Sequence, residues 1–233
     1  MTYKISIIVP IYKAEKYIEQ CIESLLNQDF NSIEYIFVDD CSPDNSMKVL
    51  KKVIEKYPDR KKDIKLLSNF ENKGSGFTRK VGIESSTGDY TIQIDADDWV
   101  EYNMCSSLYQ KAIESNADII ICDYFTNTLS EETYIRQIGN ENANLDFRDV
   151  LLGGLHSSLC NKLIKRILYT ENNIYPPQDF SLYEDKITVL QLMHKAKKTA
   201  YLPKAFLHYR QHTSSMSSHI ISDKMIKDTV LFI

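Results

Sequence analysis

The sequence lacks the cysteine patterns of a zinc site or of a disulfide framework. Its five cysteines are odd in number, lie far apart and form no Cys-x-x-Cys pair, whereas zinc knuckles and small disulfide-rich domains space their cysteines closely. We therefore expect reduced thiols in a cytoplasmic protein, with the inner face of the cell membrane as an alternative location.

Long apolar runs and an excess of basic residues are also missing. No stretch approaches the roughly 20 apolar residues of a transmembrane helix, and the short apolar run after Lys4 does not make a signal peptide. The net charge is −4, with Lys and Arg dispersed among Asp and Glu, so we expect no basic face for nucleic acid. The composition predicts a soluble protein, or one that associates with a membrane only peripherally, and no nucleic-acid partner.

Apolar strands and amphipathic helices alternate over the first hundred residues. Ile5 to Val9 is a β-branched run that stops at Pro10, as in a buried parallel strand. Ser42 is the expected N-cap of the second helix and Pro43 its first residue. The full pattern predicts strands at 5–9, 34–38, 64–67 and 90–94 and helices at 14–26, 43–57 and 75–85. This order indicates an α/β fold whose first half is a doubly wound nucleotide-binding unit.

The pattern beyond this half is less regular. We predict a helix at 103–115, a strand at 117–122, a polar loop or hairpin at 126–144, a helix at 161–169, a loop at 173–181, a helix at 183–194 and a strand at 205–209. Met225 to Ile233 have the pattern of a helix without a closing cap. We therefore expect the natural protein to continue beyond Ile233.

Polar residues follow three apolar strands, at the sheet edge where open α/β folds bind their ligands. Tyr12 follows the first strand, Asp40 the second, and Asp95-Ala96-Asp97-Asp98 the fourth. An aromatic ring can stack on a base, a carboxylate can accept from a pyrimidine imide N–H, and an acidic cluster can hold a divalent cation. Together these residues predict a nucleotide-diphosphate site.

The acidic cluster predicts a metal ion. Carboxylates repel each other and repel phosphates unless a hard cation neutralises both, and oxygen ligands suit Mg²⁺ or Mn²⁺. A lone Asp-x-Asp is as often a polar turn or a helix cap, but this one follows the strand Tyr90 to Ile94. We expect Asp97 and Asp98 nearest the metal and Asp95 facing the nucleotide.

Other interpretations exist for the remaining strand ends. Asp39-Asp40 can form an Asx turn ahead of the Ser42-Pro43 helix start, which accounts for one of the two acids. Tyr12 can simply cover the edge of the sheet. The segment 72–82 contains glycines that let backbone approach a ligand, and Arg79 near the start of its helix can bind phosphate oxygens bidentately.

Several of these segments, in this order, resemble the signatures of family 2 glycosyltransferases. The matching segments are Ser6 to Tyr12, Val38 to Asp44, Asn72-x-Gly74 with Arg79, and Asp95 to Asp98, with weaker matches at Asn161 to Leu163, Glu184-Asp185, and Tyr209-Arg210 with Ser214 to Ser217. The resemblance implies the A-type glycosyltransferase fold, with a mixed, mostly parallel sheet flanked by helices. It also implies an inverting mechanism and a nucleotide-sugar donor, most often a UDP-sugar.

The resemblance further implies roles for individual residues. Nucleotide contacts are expected at Pro10, Tyr12, Glu15, Asp40, Ser42, Gly74, Arg79, Asp95 and Ala96, with Mn²⁺ or Mg²⁺ at Asp97 and Asp98. Lys13, Cys41, Thr78 and Lys80 depart from the family pattern, and none of these departures removes a carboxylate.

The same resemblance suggests the partners and the division of the chain. The expected partners are a nucleotide-sugar donor and a glycan or lipid-linked acceptor, in surface polysaccharide synthesis. We predict one catalytic domain over 1–233, with a nucleotide-sugar-binding half at 1–100, an acceptor-side half at 101–220 and the start of a truncated C-terminal helix at 221–233.

An inverting transfer needs a carboxylate that deprotonates the acceptor hydroxyl as it attacks the anomeric carbon. Asp185, at the start of a predicted helix, is the expected base, and Glu184 is the rival. The helix dipole alone also favours an acid at this place. Candidate acceptor or diphosphate contacts are Lys162, Glu184, Arg210 and His212. Of these, Lys162, Arg210 and His212 would add charge stabilisation for the leaving group.

Two other functional classes stay open at this point. A nucleotidyltransferase would also use an α/β nucleotide half and an acidic metal site, but it should carry a Gly-rich loop where this sequence has Pro10 to Lys13. A catalytically silent carbohydrate-binding module on the same fold would lack the base, and Asp185 is present. A glycoside hydrolase needs paired carboxylates and no nucleotide site, so the predicted nucleotide residues argue against this class.

Overall fold

The fold is described from a computed structural model, which covers residues 3–137, 145–178, 180 and 183–212. The predicted C-terminal helix at 221–233, the segment Ser214 to Ser217, and residues 138–144 of the polar segment lie outside the described residues. Within the described residues no helix is both long and apolar enough to cross a membrane.

The first half of the chain forms a parallel sheet connected by helices. Its strands are β1 (Ile5–Ile11), β2 (Ile33–Asp39), β3 (Ile64–Ser68) and β4 (Tyr90–Gln93). The connecting helices are α1 (Ile18–Leu26), α2 (Ser46–Glu55) and α3 (Ser75–Ser85), with a 3-10 turn at Lys61–Asp63. β1 lies between β2 and β4, and β3 pairs with β2, all in parallel. Each predicted strand and helix of this half is present, with ends shifted by a few residues.

The continuous apolar sequence of the central strands places them between two packed layers. In β1, Ile7 and Val9 belong to one buried cluster and Ile8 to the other, because alternate side chains point to opposite faces of the sheet. Helix α1 packs on the first face through Cys21 and Leu25. Burial on both faces is the reason that these strands read as unbroken hydrophobic runs.

The second half extends the same sheet with strands of mixed direction. Its elements are β5 (Trp99–Val100), α4 (Met104–Ser115), β6 (Ile119–Asn127), β7 (Glu132–Ile135), α5 (Phe147–Leu151), β8 (Lys162–Lys165), α6 (Arg166–Asn172), α7 (Glu184–Lys195) and β9 (Thr199–Arg210). The strand order is β3-β2-β1-β4-β8-β6-β9-β5, and β7 pairs with β6. β8 runs antiparallel to β4 and β6, while β9 runs parallel to β6. The predicted α/β class with a mixed sheet flanked by helices is confirmed.

Two local predictions are wrong. Residues 161–169 do not form one helix, because Lys162–Lys165 pairs as β8 between β4 and β6 and α6 begins only at Arg166. Helix α2 begins at Ser46 rather than at Pro43. The hydroxyl of Ser42 accepts a hydrogen bond from the backbone N–H of Lys13 at 2.8 Å, so it does not cap the helix. The polar segment forms the hairpin alternative as far as it is described, through the pairing of β6 with β7.

Candidate functional site

Most of the predicted nucleotide and metal residues follow the carboxyl ends of β1, β2 and β4, while Gly74 directly precedes α3 and Arg79 lies on it. Three segments of the second half reach the same region: the loop 156–161, the start of α7 and the end of β9. The site is therefore built from strand ends of the first half and closed by the second half, as expected for a ligand at the edge of an open α/β sheet.

Asp40 organises the loop that leads into α3. Its side chain is buried and accepts hydrogen bonds from the backbone N–H of Lys73 at 2.9 Å, from that of Gly74 at 2.8 Å, and from the Asn69 amide at 2.8 Å. A carboxylate offers about four acceptor positions, so about one remains for a ligand. Gly74 has φ +86°, a conformation that favours glycine. Asp40 therefore shapes the site as well as facing it.

Glu15 and Ser42, both expected nucleotide contacts, join the loop after β1 to the start of α2. Glu15 accepts from the backbone N–H of Asn45 at 3.0 Å, and the Ser42 hydroxyl donates to Asp44 at 2.7 Å. Burial favours a higher pKa for the Asp44 carboxyl, but hydrogen bonds from Ser46 and Ser42 outweigh it and lower that pKa. These contacts hold the loop after β1 against the segment that leads into α2.

The backbone is left-handed just after β1 and at Cys41, two residues after β2. Lys13 has φ 52° and Cys41 has φ 56°, values that cost a non-glycine residue about 1 kcal/mol or more. The Tyr12 ring is 43% exposed, with the Lys13 ammonium 5.0 Å from its centroid, while Pro10 is half-buried. The exposed ring face of Tyr12 is consistent with the predicted stacking on a base.

The acidic segment after β4 forms a tight turn with one unsatisfied carboxylate oxygen. The backbone N–H of Asp98 donates to the Asp95 carbonyl at 3.1 Å. Asp98 is 1% exposed, its Oδ1 accepts from the backbone N–H of Arg210 at 2.8 Å, and its Oδ2 is buried without a hydrogen-bond partner. Burial, and then the charges of Asp95 and Asp97, raise the pKa of Asp98 well above its usual value. Ala96, within the turn, is buried in the core.

The turn fits a cation that takes its remaining ligands from a phosphate group. Across the described residues no group of three or more His, Cys, Asp or Glu side chains is arranged to hold a metal ion by itself. Mg²⁺ is usually held by one or two carboxylates together with substrate phosphates. The orphaned oxygen of Asp98 and the carboxylate of Asp97 provide that partial set, and burial together with the charge of Asp95 also raises the pKa of Asp97.

The end of β9 lies against this turn. The Arg210 guanidinium stacks 4.4 Å from the Trp99 ring centroid and donates from Nε to the Asp97 carbonyl at 2.7 Å. His212 stacks on Tyr17 at 4.6 Å, and its Nε2 lies 3.0 Å from Asp97 Oδ2. Both predicted contact residues therefore adjoin the acidic turn, and Arg210 donates from Nε to its backbone.

The side chain of Arg79 is more deeply buried than we expect for a residue that binds phosphate. It is 3% exposed, with Nη1 donating to Gln93 at 2.9 Å and Nη2 donating to Asp95 at 2.6 Å. Its Nε lies 3.6 Å from Asp185 Oδ1. The sequence suggests phosphate oxygens as its partners, whereas in the structure its neighbours are the Gln93 amide and the carboxylates of Asp95 and Asp185.

The two candidate bases have different environments. Asp185 Oδ2 accepts from the Leu159 N–H at 3.1 Å, while its Oδ1 has no hydrogen-bond partner. Glu184 is 7% exposed and accepts from the Ser75 hydroxyl at 2.7 Å. Burial raises the pKa of both carboxyls, and Arg79 opposes this rise at each of them. Asp185 thus keeps a carboxylate oxygen that makes no hydrogen bond, whereas Glu184 is hydrogen bonded to Ser75.

Lys162 is oriented differently from the prediction. Its side chain is fully buried and donates to the carbonyls of His156 and Ser158, both at 2.7 Å, and to Asn161 Oδ1 at 2.8 Å. An ammonium group has three N–H donors, so no donor is left for an acceptor or a diphosphate. Burial lowers the pKa of Lys162 to about 8. Lys162 holds the loop whose Leu159 N–H binds Asp185.

Four residues of the site were not predicted: Ser75, Gly76, Gln93 and Cys160. The Cys160 thiol contacts Asp95 Oδ2 at 3.5 Å, and Ser75 contacts Glu184. The sequence could have indicated Ser75, because it lies four residues before Arg79 and residues at that spacing share one face of a helix. Gln93 lies on a buried strand, and nothing in its local sequence distinguishes it.

Comparison with known proteins agrees with this geometry. The sequence model of Glycosyl transferase family 2 matches residues 6–188. The chain belongs to this family. Among family relatives, the putative glycosyltransferase EpsH of Bacillus subtilis is 30% identical over 222 residues, covering 92% of this chain and 63% of that protein. The cholesterol galactosyltransferase of Borreliella burgdorferi is 28% identical over 236 residues, covering 94% of this chain and 63% of that protein.

Solved structures of other glycosyltransferases share the fold. The S. aureus TarS structure in complex with UDP-GlcNAc superposes with a TM-score of 0.80 at 23% identity, covering 98% of this chain and 65% of that one. The mannosyltransferase PcManGT from Pyrobaculum calidifontis, in complex with GDP-Man and Mn²⁺, has a TM-score of 0.68 at 16% identity, covering 94% and 59%. The A-type glycosyltransferase fold is confirmed. The chain spans slightly less than two thirds of the length of these relatives.

Proposed function

We propose that this protein transfers a sugar from a nucleotide donor to an acceptor hydroxyl with inversion at the anomeric carbon. The observation that carries the proposal is the buried, unpartnered Oδ2 of Asp98 in an acidic turn at the end of β4. An uncompensated carboxylate is costly unless a cation neutralises it. Its position beside Asp97 and near the strand ends after β1 and β2 suits a metal-bound diphosphate.

Asp97 and Asp98 would hold Mn²⁺ or Mg²⁺ together with diphosphate oxygens. When bound, the cation would neutralise the negative charge that develops on the departing nucleotide. Tyr12 offers an exposed ring for the base, and Asp40 retains about one acceptor position. Asp95, in the same acidic turn, accepts a hydrogen bond from the Arg79 guanidinium.

We assign the general base to Asp185. Its Oδ1 is not engaged in a hydrogen bond, so it can accept the proton of an acceptor hydroxyl. The raised pKa brings this carboxyl closer to the range in which a base works at neutral pH. Glu184 is directed to Ser75 instead and becomes the second choice.

The donor is proposed to be a UDP-sugar, because the TarS structure contains UDP-GlcNAc. TarS is a poly(ribitol-phosphate) β-N-acetylglucosaminyltransferase, which supports a glycan or other polymer acceptor in surface polysaccharide synthesis. We keep the proposed division into a donor half at 1–100 and an acceptor half at 101–220. Peripheral association with a membrane is part of this proposal, since lipid-linked acceptors lie there.

Isothermal calorimetry with UDP in the presence and absence of MnCl₂ tests the donor site. We expect binding that requires Mn²⁺ or Mg²⁺ and is lost in Asp98→Ala. Binding that is unchanged by Asp98→Ala would remove the metal assignment.

A panel of UDP-sugars with glycoside acceptors, assayed for released UDP, tests transfer. Asp185→Asn should keep UDP binding and lose release, and parental release in that variant would place the base elsewhere. Pyrophosphate release from a nucleoside triphosphate would instead indicate a nucleotidyltransferase. UDP binding without any turnover would indicate a silent carbohydrate-binding module.

A further inference from the structure

Helix α3 contacts the segment that carries the candidate base. The Ser75 hydroxyl donates to Glu184 at 2.7 Å. The backbone of Pro177 passes so close to Gly76 that a Cβ at Gly76 would lie 2.3 Å from the Pro177 carbonyl oxygen. The first turn of α3 therefore contacts both the Pro177 backbone, which precedes α7, and Glu184, the first residue of α7.

Arg79, one turn further along α3, faces Asp185. Two of its five N–H donors are used by Gln93 and Asp95. Its Nε and Asp185 Oδ1 are both buried without hydrogen-bond partners and face each other at 3.6 Å. A shift of roughly 0.5 Å would bring this pair within hydrogen-bond distance. The guanidinium thus connects a carboxylate of the first half to a carboxylate of the second.

The start of α3 is itself fixed to the donor half. Asp40 accepts from the backbone N–H groups of Lys73 and Gly74, directly before the helix. Since Arg79 is only 3% exposed and lies between Asp95 and Asp185, little of its guanidinium is accessible to a diphosphate.

We propose that Arg79 is a positioning residue for Asp185 and not a ligand of the donor diphosphate. With Ser75 and Gly76, it makes one face of α3 the support that places the base beside the donor site. The proposal rests on the proposed function, because it takes Asp185 as the base of the transfer.

The charges around Asp185 give the proposal a signature in the pH profile. Arg79 faces it from α3, Asp95 from the turn after β4, Lys162 from β8, and Glu184 lies beside it on α7. Burial raises the pKa of Asp185, and Arg79 is the strongest influence that lowers it. Removal of Arg79 should therefore move the acid limb of kcat to higher pH, because Asp185 then loses its proton later.

The direct test compares Arg79→Met and Arg79→Lys with the parent chain. We expect UDP affinity in MnCl₂ to stay within about threefold of the parent, well short of the tenfold change that corresponds to 1.4 kcal/mol. In Arg79→Met, kcat with the donor found in the UDP-sugar panel should fall about 100-fold, the scale of a general-base contribution. Arg79→Lys should recover part of that loss. A tenfold or greater loss of UDP affinity in Arg79→Met would overturn the proposal.

A second pair of variants tests the supporting face without altering any charge. Gly76→Ala forces the Pro177 backbone away from α3, whereas Gly154→Ala is its matched control, because a Cβ at Gly154 meets nothing nearer than the Asp149 carbonyl at 3.4 Å. We expect Gly76→Ala to bind UDP normally with reduced kcat, and Gly154→Ala to match the parent in both. Equal kcat in the two variants counts against the proposed support.

The Arg79 to Asp185 contact can also be measured without turnover. Melting temperatures of Arg79→Met, Asp185→Asn and the double variant should be non-additive, since the two groups interact. Additive changes would overturn the contact. If the parent neither binds UDP nor releases it from any donor, the proposed function fails, whereas the melting cycle still decides whether Arg79 and Asp185 are coupled.

Discussion

Replacement of Asp98 by asparagine should have opposite effects on the apo and the ligand-bound protein. Asp98 is 1% exposed, its Oδ2 has no partner, and Asp95 and Asp97 lie close enough to raise its pKa. Asparagine keeps an Oδ1 acceptor for the backbone N–H of Arg210 and removes the charge. The apo protein should therefore become more stable, while a cation should lose a principal ligand.

The size of the apo effect follows from the burial of the charge. Relief of an unfavourable buried carboxylate should raise the free energy of unfolding by about 1 to 2 kcal/mol at pH 7, net of the cost of accommodating the new amide. For a chain of this length that corresponds to roughly 2–8 °C in Tm. Thermal unfolding followed by circular dichroism, without nucleotide and with EDTA, measures this change.

The ligand effect has the opposite sign. UDP with MnCl₂ at 100 times its Kd should stabilise the parent by about 2.7 kcal/mol, or roughly 5–10 °C in Tm. Asp98→Asn should abolish most of this shift. A variant with a lower apo Tm and an undiminished Mn²⁺ shift would refute the reasoning.

A buried carboxylate with satisfied hydrogen bonds provides the control. Asp123 is fully buried and accepts from Tyr201 at 2.7 Å, from the Gln137 N–H at 2.8 Å and from Tyr134 at 2.5 Å. Asp123→Asn should lower the apo Tm, because it weakens about 1–3 kcal/mol of hydrogen bonding to a charged group. It should leave the shift with Mn²⁺ unchanged.

The pH dependence of the Asp98 effect has a definite sign. Its folded pKa lies above the ordinary value of 3.8, so in that window the folded apo state binds more protons than the unfolded state. The free energy of unfolding therefore falls as pH rises through the folded pKa. Asp98→Asn should remove this fall, and the Mn²⁺ shift of the parent should shrink at acid pH because metal ligands must be deprotonated.

Three further predictions concern single positions. Cys41→Gly should raise the free energy of unfolding by up to about 1 kcal/mol, because Cys41 is held in the left-handed region at φ 56°. Asn116→Gly should raise it less, because asparagine adopts its φ of 48° more readily than most residues do. Thermal melts of the two variants measure the difference. Burial lowers the folded pKa of Lys162 to about 8, so between pH 8 and 10 the unfolded state binds more protons than the folded state. The free energy of unfolding of the parent should therefore rise over this range, and Lys162→Met should remove that rise. Trp99, the single tryptophan, is stacked on Arg210 and His208, so its emission should change saturably as MnCl₂ is added with UDP.

The sequence was sufficient for most elements of the first half. Strands there are β-branched runs buried on both faces, and helices show apolar steps of three and four, so local pattern and tertiary role agree. Residues 162–165 are different, since Leu163 and Ile164 alone do not distinguish a helix from a strand. Their pairing with Tyr90 to Thr91 and with Ile119 to Ile121 decides the outcome. That information lies far away in the chain.

The helix start at Ser42 failed for a similar reason. Ser42-Pro43 has the local chemistry of a helix N-terminus, but the N–H of Lys13, from the loop after β1, takes the hydroxyl of Ser42. Asp44 then accepts from the Ser46 N–H at 3.1 Å, so the helix begins three residues later. The residues around Ser42 do not show that a backbone N–H far away in the chain competes for its hydroxyl.

Arg79 shows which part of a site the sequence can predict. A cation near a helix start, close to an acidic turn, predicts an anionic partner, and the structure provides two. The sequence suggests phosphate oxygens as these partners, and in the structure the anionic groups beside Arg79 are the carboxylates of Asp95 and Asp185. Asp95 is 16 residues from Arg79, and Asp185 reaches it only because β8 and the loop after α6 return the chain to α3. A buried guanidinium between two carboxylates fixes their positions and compensates their negative charge. Loss of Arg79 should therefore change the position and the pKa of Asp185 more than it changes the affinity for the donor.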